Sequence, residues 1–213
     1  MARWDWGCFR HVVAAALSAG VLLWGAGCAS LNDRLTEIDQ MSMAGRHDEA
    51  LAALEPLIAA HPETQRPRGL KTDILLRKGD VQQALQLQKQ VVADIPDKWY
   101  AHYHLGLIYL EYLRRPAEAI EPLEQAQRLL LAGGAEIPPE NRYNLLVSLA
   151  KAYDGAKRYD DALDACRQIL ATTPGDPWAL AFQQLIEKKK AALPAGRSSP
   201  ATSESPSALT TGQ

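Results

Sequence analysis

From residue 31 onward the apolar and polar positions alternate with the period of helices that bury one face. The pattern predicts helices over residues 31–43, 47–60, 65–78, 81–94, 98–113, 116–132, 139–156, 159–172 and 176–192. No run shows the strict alternation of a half-buried strand, so the predicted fold class is all-α. Across these helices one set of landmarks recurs. Gly45 and Gly79 lie 34 residues apart, as do Ala50 and Ala84, and Pro62 and Pro96. The period continues with insertions: Ala119 falls 35 after Ala84, and Ala162 falls 43 after Ala119. Four residues beyond each alanine stand Leu54, Gln88, Leu123 and Cys166; three further on stand Leu57, Val91, Ala126 and Ile169. Prolines 62, 96 and 174 close three of the four units, since a residue without an N–H cannot continue a helix.

The third unit contains Leu105-Gly106-x-x-Tyr109, with Ala119 thirteen residues after Gly106. This order of Leu-Gly-x-x-Tyr, then alanine, then proline over 34 residues resembles the tetratricopeptide repeat (TPR). The resemblance implies a right-handed α-solenoid of about four helix pairs, with small residues such as Gly106, Ala50, Ala84 and Ala162 where helices press closest. Repeats would run over about 31–64, 65–98, 99–142 and 143–176. In the first two, Ile38, Met41, Thr72 and Leu75 stand for Gly and Tyr. The third carries ten extra residues, one expected in the turn Leu113–Pro116 and about nine around 132–139. The last helix, 176–192, would turn Trp178 and Phe182 inward as a cap over the final repeat.

Ahead of the repeats, Arg3 and Arg10 precede an uncharged run, Val12 to Trp24. At about 1.5 Å per residue these thirteen residues fall short of a ~30 Å hydrocarbon core, which fits the apolar region of a signal peptide. Gly25-Ala26-Gly27-Cys28 follows. It resembles the lipobox of bacterial lipoproteins, departing from it at Gly25, where that family usually has Leu. The resemblance implies a signal peptide over 1–27, a diacylglycerol thioether with fatty acids such as palmitate on Cys28, and a very short tether, 28–30. Ala29 and Ser30 after the cysteine, with no Asp, imply the periplasmic face of the outer membrane. An ordinary cleaved signal peptide with an incidental cysteine remains the alternative, as does an uncleaved inner-membrane anchor. From 193 to 213 the composition turns to Pro, Gly, Ser and Thr, and the expectation is a disordered tail.

Charge narrows the partners. Twenty-three Lys and Arg against 25 Asp and Glu give a net charge of −2, without the basic surface a nucleic-acid binder needs. The chemistry of a site is missing too. His102 and His104 point about 200° apart on a helix and cannot chelate one metal. Cys166 falls on a packing position with no histidine to activate it, and it would be left without a disulfide partner. Glu118, Glu121 and Glu124 follow a solvated face, and Lys188 to Lys190 suit a helix C-terminus. No phosphate loop, nucleophile elbow or zinc motif appears, so neither cofactor, metal nor catalysis is expected.

By resemblance, a TPR protein holds an extended peptide or partner helix in a concave groove lined by the first helix of each repeat. On the third repeat those positions are Tyr100, Tyr103, His104, Leu107, Leu110 and Glu111. The neighbouring repeats offer Arg66, Asp73, Leu76 and Arg77, and Asn144, Val147, Lys151 and Asp154. Of the ten aromatics beyond residue 27, five lie within 99–112, and amphipathic aromatics carry much of the energy of interfaces. The basic clamp that some TPR proteins place around chaperone tails is missing, because Leu35, Asp39, Leu70, Tyr100 and His104 occupy its positions. The expected function is a membrane-anchored scaffold or adaptor for protein partners in envelope assembly, pilus or secretion processes. An accessory subunit of a periplasmic enzyme is the alternative.

Overall fold

The computed structural model describes residues 30–62, 64–133 and 138–192. Cys28, the apolar run before it and the stretch after residue 192 lie outside the described residues. The described chain is helical and contains no strand. The helices are α1 (Leu31–Met43), α2 (His47–Ala60), α3 (Arg66–Lys78), α4 (Val81–Asp94), α5 (Trp99–Leu107), α6 (Pro116–Ala132), α7 (Pro139–Gly155), α8 (Tyr159–Thr172) and α9 (Pro177–Ala191). A π-helical turn, Ile108–Tyr112, continues α5. The chain divides between Arg77 and Lys78 into two compact units.

Local chemistry accounts for the boundaries. Ser30 caps α1: its Oγ accepts from the Asp33 N–H at 3.2 Å, and the Asp33 carboxylate accepts from the Ser30 N–H at 3.0 Å. Pro116, Pro139 and Pro177 each take a first helical position, where a missing N–H costs nothing. Asp176 caps α9 by accepting from the Ala179 N–H at 2.7 Å. The turn after each repeat's first helix passes through left-handed backbone, at Gly45 (φ 81°), Gly79 (94°), Arg114 (55°) and Lys157 (63°).

In the first unit Leu35, Ile38, Ala50, Leu54, Leu57 and Ile74 form one buried cluster contributed by α1, α2 and α3. Thr72, at the position of the motif glycine, is buried, and its hydroxyl donates to the Arg68 carbonyl at 3.1 Å. A polar chain crosses the same helices. Arg77 donates to Asp39 at 2.7 Å and to the buried Ser42 hydroxyl at 2.8 Å, and Ser42 Oγ lies 3.1 Å from His47 Nδ1.

In the second unit the repeat's small residues lie where expected. Ala84, Ala101, Ala119, Ala126, Ala150 and Ala162 are fully enclosed. Gln88, at a position held by Leu54, Leu123 and Cys166 in the other repeats, is also buried. Its amide donates to the Ala101 carbonyl at 2.8 Å, which satisfies a polar group that would otherwise be costly to enclose. Trp178 and Phe182 stack at 4.8 Å and pack over Ala150, Ala165 and Cys166, while Trp178 also meets the Leu146, Ile169 and Ala179 cluster. α9 therefore covers the end of the last repeat.

One predicted helix is corrected. Residues 98–113 are not one α-helix: the α geometry stops at Leu107, and the Leu113 N–H reaches back five residues to the Ile108 carbonyl at 3.0 Å. In the first and fourth repeats the N–H of Arg46 and Arg158 bonds the carbonyl five residues back, at Met41 and Tyr153. In the third, Arg115 bonds Tyr109, six back. The residue that lengthens the Ala84–Ala119 interval is thus taken up as a π-turn ahead of the Leu113–Pro116 turn. A single extra residue inserted in a helix is absorbed this way without breaking the helix on either side.

Candidate functional site

The aromatic residues of α5 form a contiguous patch within the second unit. The Trp99 ring meets Tyr100 edge-on at 6.2 Å and Tyr103 at 6.0 Å, and Tyr103 meets His104 edge-on at 5.9 Å. Tyr100 is 36% exposed, His104 is exposed and Tyr103 is half-buried. Leu107, one turn on, is half-buried. Glu111 follows in the π-turn. Its carboxylate lies 3.5 Å from Lys151 Nζ on α7 and 3.8 Å from the Arg114 guanidinium. Asn144, two turns before Lys151 on α7, is exposed. Around Glu111 a cleft of about 430 Å³ opens, lined by Leu110, Glu111, Arg114, Pro116, Lys151 and Gly155.

Some expected lining residues have other duties. Leu110, in the π-turn, is buried, at 8% exposure. Val147 packs against the Leu146–Ile169 cluster. Asp154 holds Lys189 of α9 through both carboxylate oxygens, at 2.6 and 2.8 Å. In the first unit Arg66 is exposed and donates to Asn32, and Asp73 and Leu76 are half-buried on α3. Arg77, also among the expected lining positions, donates to Asp39 and to Ser42.

Several other titratable groups have partners within the fold. His102 Nε2 lies 2.9 Å from the Pro96 carbonyl. No group of three or more metal-ligating side chains occurs among the described residues. Burial pushes the Cys166 thiol up to about 11, which keeps it protonated and unreactive at neutral pH. Glu124 departs from the solvated face predicted for it. It accepts from the Tyr153 hydroxyl at 2.9 Å and lies 3.6 Å from Arg158, which stacks 4.7 Å over the Tyr153 ring and pairs with Asp161 at 2.6 Å. Burial and the Glu124 carboxylate raise the Tyr153 phenol well above its ordinary range. Lys189 and Lys190 are paired with Asp154 and Asp160. Arg114, which lines the cleft beside Glu111, was not among the residues the sequence pointed to; the 35-residue interval before Ala119 was the signal that its turn differs.

These helix pairs, their alanine contacts and the proline stops have a counterpart among known proteins. Residues 41–108 match the family model of the tetratricopeptide repeat. No curated protein matches the sequence. Among solved structures the fold is similar to MamA, at 19% identity and a TM-score of 0.59, covering 76% of this chain and 85% of that one. A Podosopora anserina putative kinesin light chain with nearly identical TPR-like repeats gives 21% identity and a TM-score of 0.60, covering 78% and 89%. YrrB, described as a TPR protein with an unusual peptide-binding site, gives 14% and 0.58, covering 80% and 83%. These likenesses show the fold, an all-helical array of the TPR type, and the aromatic patch sits on the first helix of its third repeat.

Proposed function

We propose that this chain is a lipid-anchored adaptor of the bacterial periplasm that holds a segment of a partner protein on the first-helix face of its TPR array. The observation that carries the binding reading is the Trp99–Tyr100–Tyr103–His104 patch. Four neighbouring rings, Trp99–Tyr100 and Tyr103–His104 edge-on and Trp99–Tyr103 tilted, share one helix face, with Tyr100 and His104 exposed on it. Rigid aromatics bury large area on binding and lose few rotamers. The peptide-binding site in YrrB's description supports the same kind of activity here. The anchor rests on the sequence Gly25-Ala26-Gly27-Cys28 behind its apolar run, and the outer-membrane address on Ala29 and Ser30.

One experiment in living cells addresses both halves. A photo-crosslinker replaces Tyr103, and the chain is labelled with a fatty-acid analogue. The expected result is a defined crosslinked partner in the membrane fraction, label on the wild type and none on Cys28→Ser. Label persisting on Cys28→Ser overturns the anchor. Equal crosslinking from Tyr103 and from Glu121, which is exposed on the second helix of the same repeat, overturns the binding face.

A further inference from the structure

The third repeat carries a π-turn, Ile108–Tyr112, and that turn forms a wall of the cleft that holds Glu111, Arg114 and Lys151. π-turns cost hydrogen-bond geometry and concentrate at functional sites. A second cost lies beside it. The position held by glycine in the first two repeats is Arg114 here, in left-handed backbone at φ 55°. The result is a cation on the rim of the cleft, with 80% of its side chain exposed.

The charges of the cleft do not balance. Arg114 and Lys151 share the one carboxylate of Glu111, at 3.8 and 3.5 Å, and each keeps donors directed elsewhere. All three side chains are substantially exposed, so these pairs are weak and readily exchanged. One positive charge remains in excess. Leu110 and Pro116 supply an apolar floor, and Gly155, whose Cα lies against the Pro116 ring, adds no side chain to the opening. From Tyr100 to Glu111 the helix advances about 16 Å, the reach of about five extended residues.

We infer that this cleft receives the carboxylate of an Asp or Glu side chain of the partner segment, between Arg114 and Lys151, about five residues from an apolar or aromatic residue seated on Tyr100 and Tyr103. The inference rests on the proposed binding face and names the chemistry of its occupant. Glu111 then acts as an internal competitor that the ligand carboxylate displaces, and charge-assisted bonds to an arginine and a lysine replace two loose surface pairs.

The test uses the purified full chain and end-blocked synthetic peptides carrying Leu-Phe and, about five residues away in either order, Asp-Glu or its neutral counterpart Asn-Gln. Anisotropy of a fluorescent tag on the peptide reads binding. The acidic peptide is expected to bind at least about tenfold more tightly than the neutral one. The Arg114→Gln/Lys151→Gln variant should erase that difference with helicity unchanged, and Glu111→Gln should tighten the acidic peptide alone. The cleft assignment is overturned if the two peptides bind alike, if neither binds up to about 1 mM, if the difference survives in the double variant, or if binding appears only when the peptide C-terminus is left free. Tyr103→Ala separates the two readings. If it weakens both peptides while the charge swap does nothing, the face stands and the cleft fails. If the charge swap matters and Tyr103→Ala changes nothing, the cleft stands and the aromatic face fails.

Discussion

Gly106 of α5 and Leu123 of α6 meet so closely that neither can grow. A Cβ on Gly106 would lie 2.5 Å from Leu123 Cγ and 2.6 Å from its Cδ2, inside any real contact distance, and Leu123 is fully buried. The two helices of the third repeat therefore cross at the one residue that has no side chain. Gly106→Ala is expected to destabilise by about 1–3 kcal/mol through overpacking, despite alanine's better helix propensity. Urea unfolding followed by circular dichroism measures it. Leu123→Ala added to Gly106→Ala should cost less than the sum of the two single changes, because the space lost at one position is released at the other. Strict additivity would mean that the contact is not what fixes the crossing.

Two glycines of the first unit should respond with opposite signs. Gly45 sits at φ 81° with nothing within 4 Å of a built Cβ, so Gly45→Ala meets only backbone strain, about 1–2 kcal/mol. Gly69 has ordinary helical backbone inside α3 and equally open space around its Cβ. Gly69→Ala should stabilise by about 0.5–1 kcal/mol. Melting temperatures of the two variants against wild type decide the matter, and a shift of the same sign in both would contradict the turn geometry.

What the sequence made legible follows from what repeats encode. Period and small-residue spacing are local and sum over four copies, so helix positions, the buried alanines and the cap carrying Trp178 and Phe182 could all be read. The π-turn could be read only as an interval of 35. An insertion's length is visible in a sequence, but whether a turn or a helix absorbs it depends on the hydrogen bonds of Leu113 and Arg115, which no pattern of side chains records. Arg77 illustrates the other limit. Its register in the sequence places it on the lining face, and the structure pairs it with Asp39 and Ser42, 38 and 35 residues away in the chain. Long-range pairing of charges leaves no periodic trace. Glu124 escaped for the same reason, its partner Tyr153 lying 29 residues on.

Cys166 gives the protein a pH dependence with a definite sign. Burial raises its thiol to about 11, above the ordinary value of about 8.5, so the folded state binds the proton more tightly than the unfolded chain does. Its contribution is fully present below about 8.5 and is lost as pH rises towards about 11. Compared with Cys166→Ala, wild-type stability should therefore fall more steeply over that window and run parallel to it at neutral pH. Tyr153, raised by burial and Glu124, acts in the same direction in both proteins and cancels in the comparison. Parallel curves throughout the alkaline range would mean that the thiol is hydrated in the folded protein.

The final helix should prove a structural necessity and not an appendage. Ile186 and Ala179 are fully buried, and Trp178 packs against both clusters that close the last repeat. A chain stopped after Gly175 would expose Leu146, Ile169 and Cys166 to water. Repeat arrays need such a cap because their end units otherwise present the same apolar face that internal units bury. Ile186→Ala alone is expected to cost about 2–5 kcal/mol, the usual range for emptying a fully enclosed aliphatic site. A chain ending at Ala192 retains every described core residue and should melt with the full chain. With Cys8 and Cys28 replaced by serine, Cys166 reports on all three proteins: its reaction with a maleimide should be slow in the full chain and in the chain ending at Ala192, and fast once α9 is gone. Slow labelling without α9 would show that α7 and α8 close the repeat unaided.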